Sequence, residues 1–156
     1  MSRTRQIQLV FPQEDVIAVA DLLWNKAPQT CEAICERLPI QGPVHQAIYS
    51  GSESVMLLEE VLRLPQENAR SEISRGEVGF AWLEAGSSYG VTEDFAEICW
   101  FYDVDARPSM WEGPVNVNVF AQIVEPADEF YQVCRRIRRE GVKPAEIMVW
   151  REGEHE

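Results

Sequence analysis

Histidine is almost missing from this chain: among 156 residues there are two, His45 and His155, and the second stands one residue from the end. A histidine-rich metal centre is thereby excluded. Basic residues are also scarce, with 14 Lys and Arg against 26 Asp and Glu, a formal charge of −12. Phosphate-backbone binding needs a lysine and arginine surface that releases counterions, so nucleic acid is not an expected partner. Docking on anionic lipid is disfavoured on the same ground. The charge reads as a solubility feature or as attraction for a cationic partner. No apolar run approaches the roughly 20 residues that span a bilayer, so no membrane is expected. The opening Met-Ser-Arg-Thr-Arg-Gln has no apolar stretch behind it to make a signal peptide. The four cysteines, Cys31, Cys35, Cys99 and Cys134, form no C-x-x-C pair and no small disulfide framework. Reduced thiols and a cytoplasmic location are the expectation. Nucleophile elbows, phosphate-cradling glycine loops and two-histidine metal motifs are absent as well.

What is present suits a packed domain. Apolar residues make up 46% and aromatics 10% of the chain, enough for one core at this length. The expected domain covers residues 1–150, with 151–156 as a frayed acidic tail. Gln6–Phe11 alternates and then turns continuously apolar, and Val16–Trp24 is apolar except for Asp21. These predict a hairpin of Arg5–Phe11 and Asp15–Leu23. Pro28 fits a first helical turn, and Ala27, Cys31, Ile34, Cys35 and Leu38 fall on one helical face, with Pro39 as the stop. Cys31 and Cys35 lie four apart on that face and read as buried thiols, because a second ligand pair for zinc is not in view.

Further strands are predicted at Val44–Tyr49, Ser54–Val61, Val78–Leu83, Phe95–Val104, Val115–Val124 and Glu146–Trp150. Val115, Val117 and Val119 take one face, with Asn116 and Asn118 on the other. A second helix starts near Pro126, buries Phe130, Val133, Cys134 and Ile137, and ends at Gly141. Asp128 and Glu129 at its start and four arginines near its end complement the helix dipole. Those arginines read as a solvated helix end or as an anion site. About eight strands and two helices, without βα alternation, predict a mainly β fold: a closed antiparallel barrel capped by the two helices.

Several stretches carry a resemblance. Ala27-Pro28-x-Thr30 with Ile34, then Val44-His45-x-x-Ile48, resembles the cyclophilin pattern Ala-Pro-Lys-Thr-Val-Glu-Asn-Phe followed by Phe-His-Arg-Val-Ile. Arg75-Gly76-Glu77-Val78-Gly79-Phe80 and Asn118–Val124 are similar to later cyclophilin segments. Leu38-Pro39, and Glu67-Asn68 ahead of Gly76-Glu77, fit a bacterial family of uncharacterised cyclophilin-like proteins. The resemblance spans residues 5–150 and implies a cyclophilin-like barrel with a groove on its outside. It does not extend to the isomerase residues. Gln46 stands where a cyclophilin has its catalytic arginine, and Gly51, Ser52 and Ser54 stand at the positions of its pocket Phe, Met and Gln. A neutral amide cannot supply the charged hydrogen bond of a guanidinium, so prolyl isomerisation is at most residual.

Candidate site residues follow from that groove. His45 reads as a ligand-lining group or an acid/base catalyst, or as a histidine hydrogen-bonded across the sheet. Glu67 and Asn68 offer an acceptor and an amide clamp, for a ligand or for ordering their loop. Tyr102, Arg107, Met110 and Trp111 read as an aromatic and cationic wall, with Arg107 opposite a ligand carboxylate, or as loop packing. The expected ligand is a small polar molecule or short peptide, with no cofactor and no metal. The alternatives are an enzyme acting on a small carboxylate or amide through His45, and a structural subunit of a homo-oligomer. A Ser-His-Asp triad around His45 stays open, with no serine marked out.

Overall fold

The computed structural model describes residues 3–150; the tail expected at 151–156 lies outside them. Its strands are β1 (Gln6–Phe11), β2 (Val16–Leu22), β3 (Ile40–Gln46), β4 (Glu53–Leu57), β5 (Ala69–Arg70), β6 (Glu77–Leu83), β7 (Phe95–Phe101), β8 (Ser109–Met110), β9 (Gly113–Pro114), β10 (Val117–Ile123) and β11 (Lys143–Trp150). Two helices, α1 (Pro28–Cys35) and α2 (Asp128–Glu140), complete the fold. Neighbouring strands run β2-β1-β11-β3-β4-β7-β6-β10, and β10 pairs back onto β2. The result is a closed, wholly antiparallel eight-stranded barrel, the mainly β architecture expected from the strand count. β5 adds to β10 outside the ring, and β8 and β9 form a separate ribbon. Closure removes the unpaired edges that an open sheet would expose.

Period-two alternation sorts the side chains between the two faces. Ile7, Leu9 and Phe11 of β1, Ala18, Ala20 and Leu22 of β2, Val78 and Phe80 of β6, and Ala96, Ile98 and Trp100 of β7 fill the barrel. Both helices close on that same core. Ala27, Cys31 and Ile34 come from α1, and Phe130, Val133, Cys134 and Ile137 from α2. A second apolar cluster lies outside the barrel wall, made by Ala81, Cys99, Phe101, Ala106, Val117 and Val119. The β10 register shifts between Val119 and Ala121, which lets one strand serve both clusters. Gly79 is set by close approach: a Cβ there would stand 2.9 Å from Val117 Cγ2 and 3.3 Å from Cys99 Sγ.

Element boundaries depart from expectation where tertiary contacts decide them. α1 ends at Cys35, not at Pro39, and β3 begins at Ile40, ahead of the expected Val44. Ile40 is paired with Ile147 of β11, so the ladder draws the strand start forward. The second helix matches its signals: Asp128 and Glu129 lie in its first turn, and Gly141, at φ 89°, closes it. Three of its arginines have protein partners. Arg135 holds Asp103 through two bonds of 2.8 and 2.9 Å, Arg136 meets Glu14, and Arg138 donates to Tyr102 Oη and Ser52 Oγ. All four cysteines are free thiols. No helix among the described residues is long and apolar enough to cross a membrane.

Candidate functional site

The outward faces of β3, β4, β7 and β6 build the site. Register aligns His45 with Val55, Val55 with Cys99 and Cys99 with Gly79, one row across four strands. The next row sets Leu57 beside Glu97 and Glu97 beside Ala81, while Glu53 pairs with Phe101. Above these rows, the segment after β3 and the β8 ribbon enclose a cavity of about 340 Å³. Its walls include Ile48, Val55, Leu57, Phe95 and Met110, and its polar groups include His45, Glu53 and Glu97. Among the described residues no lysine or arginine lines it.

Glu53 is almost fully buried, at 3% exposure, and Cys99 is wholly buried. A carboxylate oxygen from each of Glu53 and Glu97 and the Sγ of Cys99 all lie within 4.8 Å of one another. Burial, and then the Glu53 charge, pushes the Glu97 carboxyl up to about 8. Burial also raises Glu53, against contacts from Ser50 and Cys99 that pull it down. The Cys99 thiol is driven well above its ordinary value by burial and by both carboxylates, so it stays protonated and is a poor nucleophile. Two carboxyls this close in low dielectric titrate as a pair, the second proton leaving reluctantly.

The residues singled out from sequence are distributed over three places. His45 lines the cavity. Trp111 does not line it; it is 65% exposed, with its ring centroid 6.1 Å from that of Tyr49, which does line the cavity, and 5.7 Å from that of Tyr89. Arg107 is exposed, outside the cavity lining, and its backbone is held at both ends, its N–H donating to Ser50 O and its carbonyl accepting from Ser109 Oγ. Tyr102 is buried on the barrel side; its hydroxyl donates to Gln46 Oε1 at 2.5 Å and accepts from Arg138 Nε at 2.9 Å. Gln46 is thus held by Tyr102 and by Gly51 O.

Glu67 and Asn68 belong to the base of α1. Its N-cap residue, Ala27, has no side chain that could cap the helix. Glu67 caps it from 38 positions onward, accepting from Gln29 N at 3.1 Å, Thr30 N at 2.8 Å and Thr30 Oγ1 at 2.9 Å. Asn118 braces the same corner, donating to Thr30 Oγ1 and Pro65 O and accepting from Glu67 N. Asn68, at φ 45°, donates to Val119 O. Burial opposes the Glu67 charge, but the hydrogen bonds from Thr30 and Gln29 outweigh it and hold the carboxyl below its usual range. Glu67→Ala should therefore lose about 1–2 kcal/mol in urea unfolding at pH 7. The stabilisation is present above the ordinary carboxylate pKa and disappears as pH falls through the lowered one, so the two proteins should converge in acid.

Glu53 and Glu97 were not among the residues picked from sequence. Glu97 had a legible signal, a charge inside the apolar run Ala96–Phe101, whereas Glu53 read as part of a turn.

Residues 9–149 match the family described as "Protein of unknown function (DUF3830)". The chain belongs to the DUF3830 family. No curated protein matches it. Among solved structures, this DUF3830 member is similar to McbB, captured in complex with tryptophan, with a TM-score of 0.62 and 16% identity. The match covers 95% of this chain and 45% of McbB, so the chain spans less than half of that protein. It is also similar to the hypothetical protein AF2241 from Archaeoglobus fulgidus, with a TM-score of 0.56, 16% identity, and coverage of 94% and 95% of the two chains. At these identities the likeness is one of fold.

Proposed function

We propose that this DUF3830 protein binds a small molecule in the groove outside its barrel, in the manner of a cyclophilin-like fold whose isomerase arginine has been replaced. The observation that carries this is the cavity of about 340 Å³, apolar on most of its wall and holding His45, Glu53 and Glu97 together. Small-molecule sites are characteristically concave, largely apolar and provided with a few convergent polar groups of shifted pKa. The tryptophan complex of McbB supports the reading: that ligand too joins an apolar body to a polar head. Tryptophan-sized molecules are accordingly the first probes, and short peptides the second. In calorimetry and thermal-shift titrations, an indole-bearing ligand should raise the melting temperature of the native protein. The shift should vanish in Val55→Trp, which fills the cavity. A panel of small amines, carboxylates, indoles and short peptides that leaves the native protein unmoved at millimolar concentration would sink the reading.

A second reading, an enzyme on the same groove, is favoured by one feature: His45 lines the cavity with Glu97, placing an imidazole and a shifted carboxyl around one space. His45→Ala separates the two. A pure binding site keeps its ligand-induced shift, whereas an enzyme keeps binding and loses turnover.

A further inference from the structure

Resting on the reading of the groove as a binding site, we propose that its ligand is a small amine whose ammonium sits between Glu53 and Glu97, and that the acid pair gives up a proton as the amine enters. The argument starts from the charge pattern of the cavity. Two carboxyls converge within 4.8 Å, and among the described residues no lysine or arginine lines the space to neutralise them. Close like charges in a low-dielectric pocket do not both ionise without a cation between them. An ammonium supplies that cation and three N–H donors, which suit two facing carboxylates. Val55, Leu57, Phe95 and Met110 then offer apolar contact to the rest of the molecule. A ligand whose only charge is a carboxylate meets the same pair as repulsion.

The titratable groups around the pair are few. β3 contributes His45, the segment after it Tyr49, β4 Glu53 itself, and β7 Cys99 beside Glu97. β6 opposes Glu97 and Cys99 with Ala81 and Gly79, and β8 brings Ser109 and Met110, none of which titrates. Without ligand the pair retains a proton at pH 7, since Glu97 gives up its own only near 8. A primary alkylamine stays charged through that range, its ordinary pKa lying near that of lysine. The exchange is balanced: R–NH3⁺ enters, one carboxyl O–H bond breaks, and H⁺ passes to the buffer.

Tryptamine, indole and indole-3-acetate make the test, titrated into the native protein by calorimetry in two buffers of different ionisation heat. Tryptamine should bind with release of nearly one proton at pH 7, and its affinity should rise about fiftyfold between pH 6 and 8. Indole-3-acetate should bind at least about tenfold more weakly. Proton release should persist in His45→Ala and disappear in Glu97→Gln, with folding of each variant checked by circular dichroism. Tryptamine binding without proton release, or equal affinity for tryptamine and indole-3-acetate, overturns the proposal while leaving the groove a binding site. So does stoichiometric Zn²⁺ uptake that excludes tryptamine and is lost in Cys99→Ala, which assigns the cluster to a metal. Failure of all three indoles and of the wider ligand panel overturns the groove reading itself.

Discussion

Glu97→Gln should make the protein more stable at pH 9 and leave its stability unchanged at pH 5. In the folded chain burial and Glu53 keep the Glu97 carboxyl protonated up to about 8. In the unfolded chain the same carboxyl ionises at the ordinary glutamate value, between 4 and 5. Between these two values the folded state holds a proton that the unfolded state has lost, so rising pH progressively favours unfolding. The loss is complete above pH 8 and absent below pH 4.5. Glutamine has the shape of the protonated acid and never ionises, so the penalty disappears with the substitution. Water in the cavity tempers the full linkage value, and a gain of about 2–4 kcal/mol at pH 9 is expected. Urea unfolding of both proteins at pH 5 and pH 9 decides it; an equal difference at the two pH values would contradict a Glu97 carboxyl raised by its surroundings.

Trp100→Ala should be the most destabilising single change in the barrel. Trp100 is 1% exposed, with ring centroids 6.4 Å from Phe11 and 5.8 Å from Phe130, and its indole N–H donates to Cys134 Sγ at 3.3 Å. It joins β7 to both β1 and α2, so deletion removes burial, aromatic contact and a buried hydrogen bond together. Tryptophan-to-alanine changes in cores cost about 3–5 kcal/mol, against a total stability of about 5–15 kcal/mol for a domain. The variant should unfold at a much lower urea concentration, or fail to accumulate folded. Trp100→Phe keeps most of the apolar volume and should lose about half as much or less. A Trp100→Ala protein with near-native urea midpoint would show that α2 is not held by this cluster.

The two predictions differ in how far they could be seen in advance. Trp100 lies in a plainly apolar strand, and Phe130 falls on the apolar face of a helix whose polarity and Gly141 stop are local signals. Glu97 breaks an apolar run and can be noticed, but nothing local says that Glu53 will face it. The short strands β5, β8 and β9 escape because two-residue ladders have no periodicity to read. The loop pair Glu67-Asn68 illustrates the other limit. Its residue types suit a ligand clamp or a helix cap equally, and only the placement of α1 beside it makes Glu67 the acceptor for Gln29 and Thr30.

Local patterning by itself determined that the chain is mainly β, which residues face a core, and where the two helices lie. These properties depend on neighbours a few positions apart, where alternation and helical spacing act. Tertiary structure alone decided that β7 lies between β4 and β6 and in what register. That register brings Glu53, Glu97 and Cys99 within 4.8 Å, in a cavity that His45 also lines. The pairing of β4 with β7 joins residues 40 to 48 positions apart, and a slip of one residue would turn Glu97 into the barrel and Ile98 out of it.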